Sequence, residues 1–297
     1  MEPSEADDHV QVAVAWSLHY LACIRMVQVT FWTYDYICLL DEEWTYLLQS
    51  CWTRVKALYI IARYGPIFSL ILTLYLSFAP NEDLNKCRTL IEVYSCFGMI
   101  SLACSEWIFA LRTCALWNNN RIVLVTILAT LFVVAATSTG LRFTAISSSY
   151  VMTSAIPGIT GCYTGSGDIW YFVSLVPLLV FQLGLVSLSL IHAVQNCRTD
   201  KGNLYVIMVK HNIFYYACGV FLSATNILVP MLFSDASHRS FEDLEVSILA
   251  ILATRMHLHF WHSDQRMRSS GLPIMLPSTY MLVGLESEAA EASILRL

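Results

Sequence analysis

The chain has 297 residues, of which 57% are hydrophobic and only 13% charged, about half the charged share of a soluble domain. Its 17 basic and 22 acidic side chains nearly balance, which argues against nucleic acid as a partner. The ten cysteines are too few for a disulfide scaffold in so long a chain, and no CxxC pair suggests a zinc site. The class that remains is a multi-pass membrane protein whose first partner is the lipid bilayer.

A helical span needs about 20 mostly apolar residues at 1.5 Å each. Seven stretches meet or approach that length. The first, 18–40, is the weakest, because it contains Arg25, Gln28 and Asp35. The second, 58–78, carries Pro66 as an expected kink. The third, 90–116, is interrupted by Glu92, Glu106 and Arg112, whereas the fourth, 122–141, is clean. The fifth, 169–191, holds Pro177, and the sixth, 213–233, holds Asn226 and Pro230. The seventh, 244–261, is short and contains Arg255. The expected fold is therefore all-α: a seven-span transmembrane bundle over 18–262, an acidic extracellular tail at 1–17, and a cytosolic, largely disordered tail at 263–297. The acidic start lacks the basic region of a signal peptide, so the first span is expected to stay in the protein.

Basic residues set the orientation. One set of connections holds Arg54, Lys56, Arg121, Arg198, Lys201, Lys210, Arg266 and Arg268; the other holds Lys86, Arg88, Arg142 and Arg239. The richer side is expected in the cytosol, which puts the N-terminus outside and the C-terminus inside. Plasma membrane and endomembrane are not distinguished by this pattern.

Ionisable groups inside apolar runs need a partner or a wet cavity. Asp35, Arg63, Glu106 and Arg255 come from four spans and fall at similar depth toward the cytosolic ends, so they form a candidate polar cluster. The alternative is that the arginines snorkel separately to the interface. Cys87 and Cys162 both fall on the outer side, where disulfides persist, so a bond between them would pin the connection 142–168 over the bundle mouth. Asn226, with Pro230 one turn later, is a candidate for an outer cavity or an interhelical hydrogen bond. His257, His259 and His262 lack a carboxylate at ligand spacing, so no metal site is expected there. Cys197, just inside the fifth span, is a palmitoylation candidate or a free thiol. No HExxH, GxSxG, P-loop or GxGxxG is present, and neither an enzymatic activity nor a cofactor is suggested.

The opening motifs also carry a resemblance. Tyr34-Asp35-Tyr36-Ile37-Cys38-Leu39-Leu40-Asp41-Glu42-Glu43, then Trp52, then Leu58-Tyr59 and Arg63-Tyr64-Gly65-Pro66 resemble the signature of a family from mushroom-forming fungi known only as domain of unknown function 6533. The stretch from Glu106 to Trp117 and Ala253-Thr254-Arg255 resemble later segments of that family. Lys210-His211-Asn212 and Leu258-His259-Phe260 depart from it. The resemblance implies a seven-span fungal membrane protein and coincides with Asp35, Arg63, Glu106 and Arg255; it supplies no activity.

Three functions follow. A receptor-like sensor would take an extracellular ligand of unknown identity or a cytosolic partner, and the Cys87 and Cys162 arrangement looks like that of G-protein-coupled receptors. A transporter or channel would need a continuous polar line through the bilayer. A structural membrane protein would use the charges as static ties.

Overall fold

The computed structural model of the chain describes residues 3–78, 83–117, 120–148, 151–153, 162–164, 169–197, 203–232 and 238–269. Seven helices follow one another: α1 (Pro3–Gln49), α2 (Arg54–Phe78), α3 (Leu84–Leu116), α4 (Arg121–Ser148), α5 (Ile169–Cys197), α6 (Asn203–Leu232) and α7 (His238–Ser269). A small antiparallel hairpin, β1 (Val151–Thr153) and β2 (Cys162–Thr164), interrupts the connection between α4 and α5. Most of that connection, residues 270–297 of the expected tail, and the side chains of Cys162, Cys197 and Pro230 lie outside the described residues.

Among the described residues each expected span lies within one helix, apart from residue 233 at the end of the sixth, and each helix extends beyond its span at one end or both. The largest difference is α1, whose 47 residues run helically through most of the expected N-terminal tail and past Leu40 to Gln49. At helical rise this is about 70 Å, more than twice the bilayer core. Asp35 therefore stands about 20 Å from the end of its helix, deeper than a span ending at Leu40 implies.

Among the described residues, four helices are long and apolar enough to cross a membrane, through Arg54–Leu76, Leu84–Leu116, Arg121–Ser147 and Val173–Gln195, and the stretch of α6 with described side chains, Ile213–Leu228, is apolar as well. The outer surface of the bundle is apolar as well. Ile122, Val125, Phe132 and Val133 on α4 are exposed, as are Phe68 and Ile71 on α2 and Phe214 and Phe221 on α6. So large an exposed apolar surface fits lipid rather than water. On α1 the usual amphipathic order is reversed. Val27, Phe31, Ile37 and Trp44 are exposed while Gln28, Asp35 and Glu43 are buried, which directs polar groups inward and hydrocarbon outward.

The bundle is organised around α3 and α7. Helix α3 packs on α2, α4, α5 and α7, and α7 packs on α1, α2, α3 and α6. The main core joins Ile108, Phe109 and Cys114 of α3 to Leu249, Ala253 and Met256 of α7, with Tyr216 of α6 and Phe181 of α5. Buried residues occur on every side of α7 from Glu245 to Phe260. Its neighbours are protein rather than lipid, so it has no need of a uniformly apolar surface.

One helix–helix seam has a specific chemical cause. Pro66 lies inside α2 and has no N–H for the carbonyl of Ala62, four residues earlier. Ser101 of α3 donates its hydroxyl to that carbonyl at 3.3 Å. The approach is possible because position 65 is glycine: a Cβ there would stand 3.0 Å from Ser101 Cβ.

Candidate functional site

The buried polar side chains form two main groups at different depths, joined through α7. The group nearer the C-terminal ends of α1 and α7, termed inner for its place along the bundle, is built on Asp35 of α1, which is 1% exposed. Its Oδ2 accepts from Arg63 Nη1 of α2, and its Oδ1 accepts from Arg255 Nε of α7 at 2.6 Å. Arg63 also donates through Nε to Glu43 Oε2 at 3.2 Å. Two acids thus face two bases with no net charge. The Arg63 guanidinium lies 5.9 Å from the centroids of both Trp32 and Tyr36, close enough for the ring faces to attract the cation. These rings are one turn apart on α1 and stack on each other at 5.4 Å. The Tyr-Asp-Tyr motif and its upstream tryptophan therefore supply both the carboxylate and an aromatic surface for one arginine.

A second inner tie lies beside it. His257 of α7 is fully enclosed, with Nδ1 2.8 Å from Arg112 Nη2 of α3 and Nε2 3.0 Å from the Tyr46 hydroxyl of α1. Arg112 also lies 4.8 Å from the Phe260 ring centroid. Neighbouring His259 is exposed, and His262 Nε2 stands 3.9 Å from Glu42 Oε2. Among the described residues, no three His, Cys, Asp or Glu converge as metal ligands.

The outer group contains Glu106. It does not join Asp35, Arg63 and Arg255, although all four were expected in one depth band. Gln182 of α5 donates to Glu106 Oε1 at 2.5 Å. Ser223 of α6 bonds Gln182 Oε1 at 2.7 Å and also contacts Glu245 Oε1 of α7, whose Oε2 accepts from Asn226 Nδ2. Five buried side chains from four helices make one chain of hydrogen bonds. Asn226 thus makes an interhelical hydrogen bond, the alternative to a cavity-facing role. Above this layer, Arg142 of α4 pairs with Glu242 of α7, and Gln28 of α1 donates to Asp243 O at 2.7 Å and to Ser247 Oγ at 2.8 Å.

Spacing on one helix sets the depth difference between the groups. Glu245 precedes Arg255 by ten residues on α7, or about 15 Å along the axis. Leu249, Ala250 and Ala253 fill that interval on α7, and Phe109 lies one turn inward of Glu106 on α3. The nearby Tyr216 hydroxyl is spent on Phe109 O and Thr113 Oγ1, each at 3.0 Å. Between the two groups the buried side chains are mostly apolar, and the hydroxyls among them, of Ser105, Thr113, Thr254 and Tyr216, bond to backbone carbonyls or to each other rather than to either group.

Sequence reasoning missed Glu43, Glu245, Gln182 and the Arg112–His257–Tyr46 tie. Glu43 and Tyr46 fall beyond the expected end of the first span, and His257 was grouped with its histidine neighbours. Glu245 sits at the edge of the seventh span, where an acid reads as a connection residue. The available signal was the spacing of Gln28, Asp35 and Tyr46, which recurs on one face of a single long helix. Cys87, at the start of α3, is disulfide-bonded. Cys162 lies in β2, and β1 packs on α3.

No curated protein matches the chain. Residues 23–68 match the model of a family described as Family of unknown function (DUF6533), and this stretch carries Asp35, Glu43 and Arg63, the α1 and α2 share of the inner group.

Proposed function

We propose that the chain is a seven-span, receptor-like membrane sensor of the fungal kind its opening motif resembles, with the N-terminus outside and the inner polar group near the cytosolic face. The observation that carries this reading is that no hydrogen bond or ion pair among the described residues links the two buried polar groups across the mostly apolar interval they share along α7. A transporter or channel would need polar groups continuing through that interval. A sensor needs instead a rigid element that touches an outer site and an inner latch, and α7 carries Glu245 at one level and Arg255 and His257 at the other. Charge pairs that are neutral only when assembled suit a two-state latch, because separating them inside the bilayer leaves uncompensated charge.

The test uses the full chain in lipid nanodiscs, with every cysteine other than Cys87 and Cys162 replaced and spin labels at Trp52→Cys and Gln265→Cys, both exposed positions. Pulsed distance measurements on this background and on Asp35→Asn are compared. A second, displaced distance population in Asp35→Asn supports the latch. Identical single populations in both overturn it in favour of a static tie. The same proteins in liposomes give the remaining comparison: ion or proton flux that Asp35→Asn abolishes would instead make the chain a transporter.

A further inference from the structure

A half-open cleft of about 60 Å³ lies between α3, α4 and α5, on the outer half of the bundle. Leu102 of α3, Leu131, Val134 and Ala135 of α4, and Leu175 and Leu178 of α5 make its walls mostly apolar, with the hydroxyls of Ser138, Thr139 and Ser174 among them. Arg142 stands at one end, already paired with Glu242. Glu106, 1% exposed, lines it at greater depth. Its Oε1 accepts from Gln182, but its Oε2 is buried without any hydrogen bond.

The charge pattern identifies what would complete this site. Glu106 and Glu245 are linked through Gln182 and Ser223, yet among the described residues no Lys or Arg forms an ion pair with either acid. The inner group shows the contrasting arrangement, with each acid matched by a base. A buried carboxylate lacking a counter-charge is costly in a low-dielectric interior. An apolar lining with a single deep acid is the make-up of a small-molecule site, which is mostly apolar with few orienting polar groups. The open side leaves room for a body larger than the enclosed space.

We propose that the α3–α4–α5 cleft binds a lipophilic amine, its ammonium group donating to Glu106 Oε2 and its hydrocarbon body packed on the α4 and α5 walls. The amine places a cation beside Glu106, which no Lys or Arg pairs with among the described residues and whose Oε2 has no hydrogen-bond partner, and the cleft supplies the apolar surface that selects a lipophilic body. The assignment deepens the sensor reading and rests on it for its biological role, but the binding itself does not depend on the latch.

The test measures binding of naphthylethylamine to the full chain in nanodiscs, by saturable change in its fluorescence and by the rise in unfolding midpoint. Naphthylethanol and naphthylacetate, with the same ring system and different head groups, are run beside it. Glu106→Gln is expected to weaken amine binding by about 30-fold or more. Ala135→Phe, which fills the cleft from its wall without touching the polar network, is expected to abolish it. Wild type binding the alcohol as tightly as the amine, Glu106→Gln retaining the affinity, or Ala135→Phe leaving it unchanged would each overturn the proposal, as would the absence of saturable binding. Amine binding that leaves the Trp52–Gln265 label distances unmoved would sink the sensor reading and leave this site standing.

Discussion

Arg255 Nε stands 2.6 Å from Asp35 Oδ1, although 220 positions separate the two residues in the chain. The Arg255 side chain is 41% exposed, whereas those of Arg63 and Asp35 are 1% and 2% exposed. The two arginines on Asp35 are therefore unequal. Asp35→Ala strands Arg63 in the interior and is expected to lower stability by about 3–5 kcal/mol, the usual cost of breaking a buried pair. Arg255→Gln is expected to cost less than that, because Asp35 keeps Arg63 as its counter-charge. Denaturant or thermal unfolding in a mild detergent, comparing the two variants, checks the order.

Glu106 and Arg63 belong to different groups. A double-mutant cycle between Glu106→Gln and Arg63→Gln is expected to be additive within about 0.5 kcal/mol, as for sites without shared partners. A cycle between Arg63→Gln and Asp35→Asn is expected to show coupling of about 1 kcal/mol or more in the same assay. Strong coupling in the first cycle would place Glu106 with the inner group after all.

The α2–α3 seam makes a prediction about size rather than charge. Gly65→Ala puts a methyl 3.0 Å from Ser101 Cβ and is expected to destabilise by about 1–3 kcal/mol through overpacking. Ser101→Ala frees the Ala62 carbonyl that Pro66 already leaves unbonded, at an expected loss of about 1 kcal/mol. Ser101→Gly relieves the clash, so combined with Gly65→Ala it should cost less than the sum of the single changes. Unfolding midpoints of the four proteins decide this, and simple additivity would remove the steric argument.

The tie from Arg112 through His257 to Tyr46 predicts a graded series. Tyr46→Phe deletes one hydroxyl and one hydrogen bond, an expected loss of about 0.5–1.5 kcal/mol. His257→Ala strands both partners and leaves a cavity, so a loss of about 2–4 kcal/mol is expected. Equal losses in the two variants would mean that the imidazole contributes only through its bond to Tyr46.

Much of the architecture was legible in the sequence because lipid imposes a simple rule. Apolar runs of sufficient length read as spans, and α2, α3, α4 and α5 pass that test by composition alone. Among the described residues α1 and α7 do not, for a reason visible only after packing. Helix α7 is enclosed by protein, and α1 turns its polar face inward, so neither must be apolar all round. The spacing of Tyr34, Asp35 and Tyr36 against Arg63 likewise marked one site before any contact was known.

The sequence by itself determined that the chain is helical and membrane-like, and that Asp35, Arg63 and Arg255 needed company, because an unpaired charge in an apolar run is costly whatever the fold. The tertiary structure decided who the partners are. Depth estimates from span ends placed Glu106 with the arginines, but its azimuth on α3 directs it to Gln182. The long α1 brings Glu43 and Tyr46 into the bundle from beyond the expected end of the first span. Depth can be read from position along a helix; azimuth and helix neighbours are settled only when all seven helices pack together.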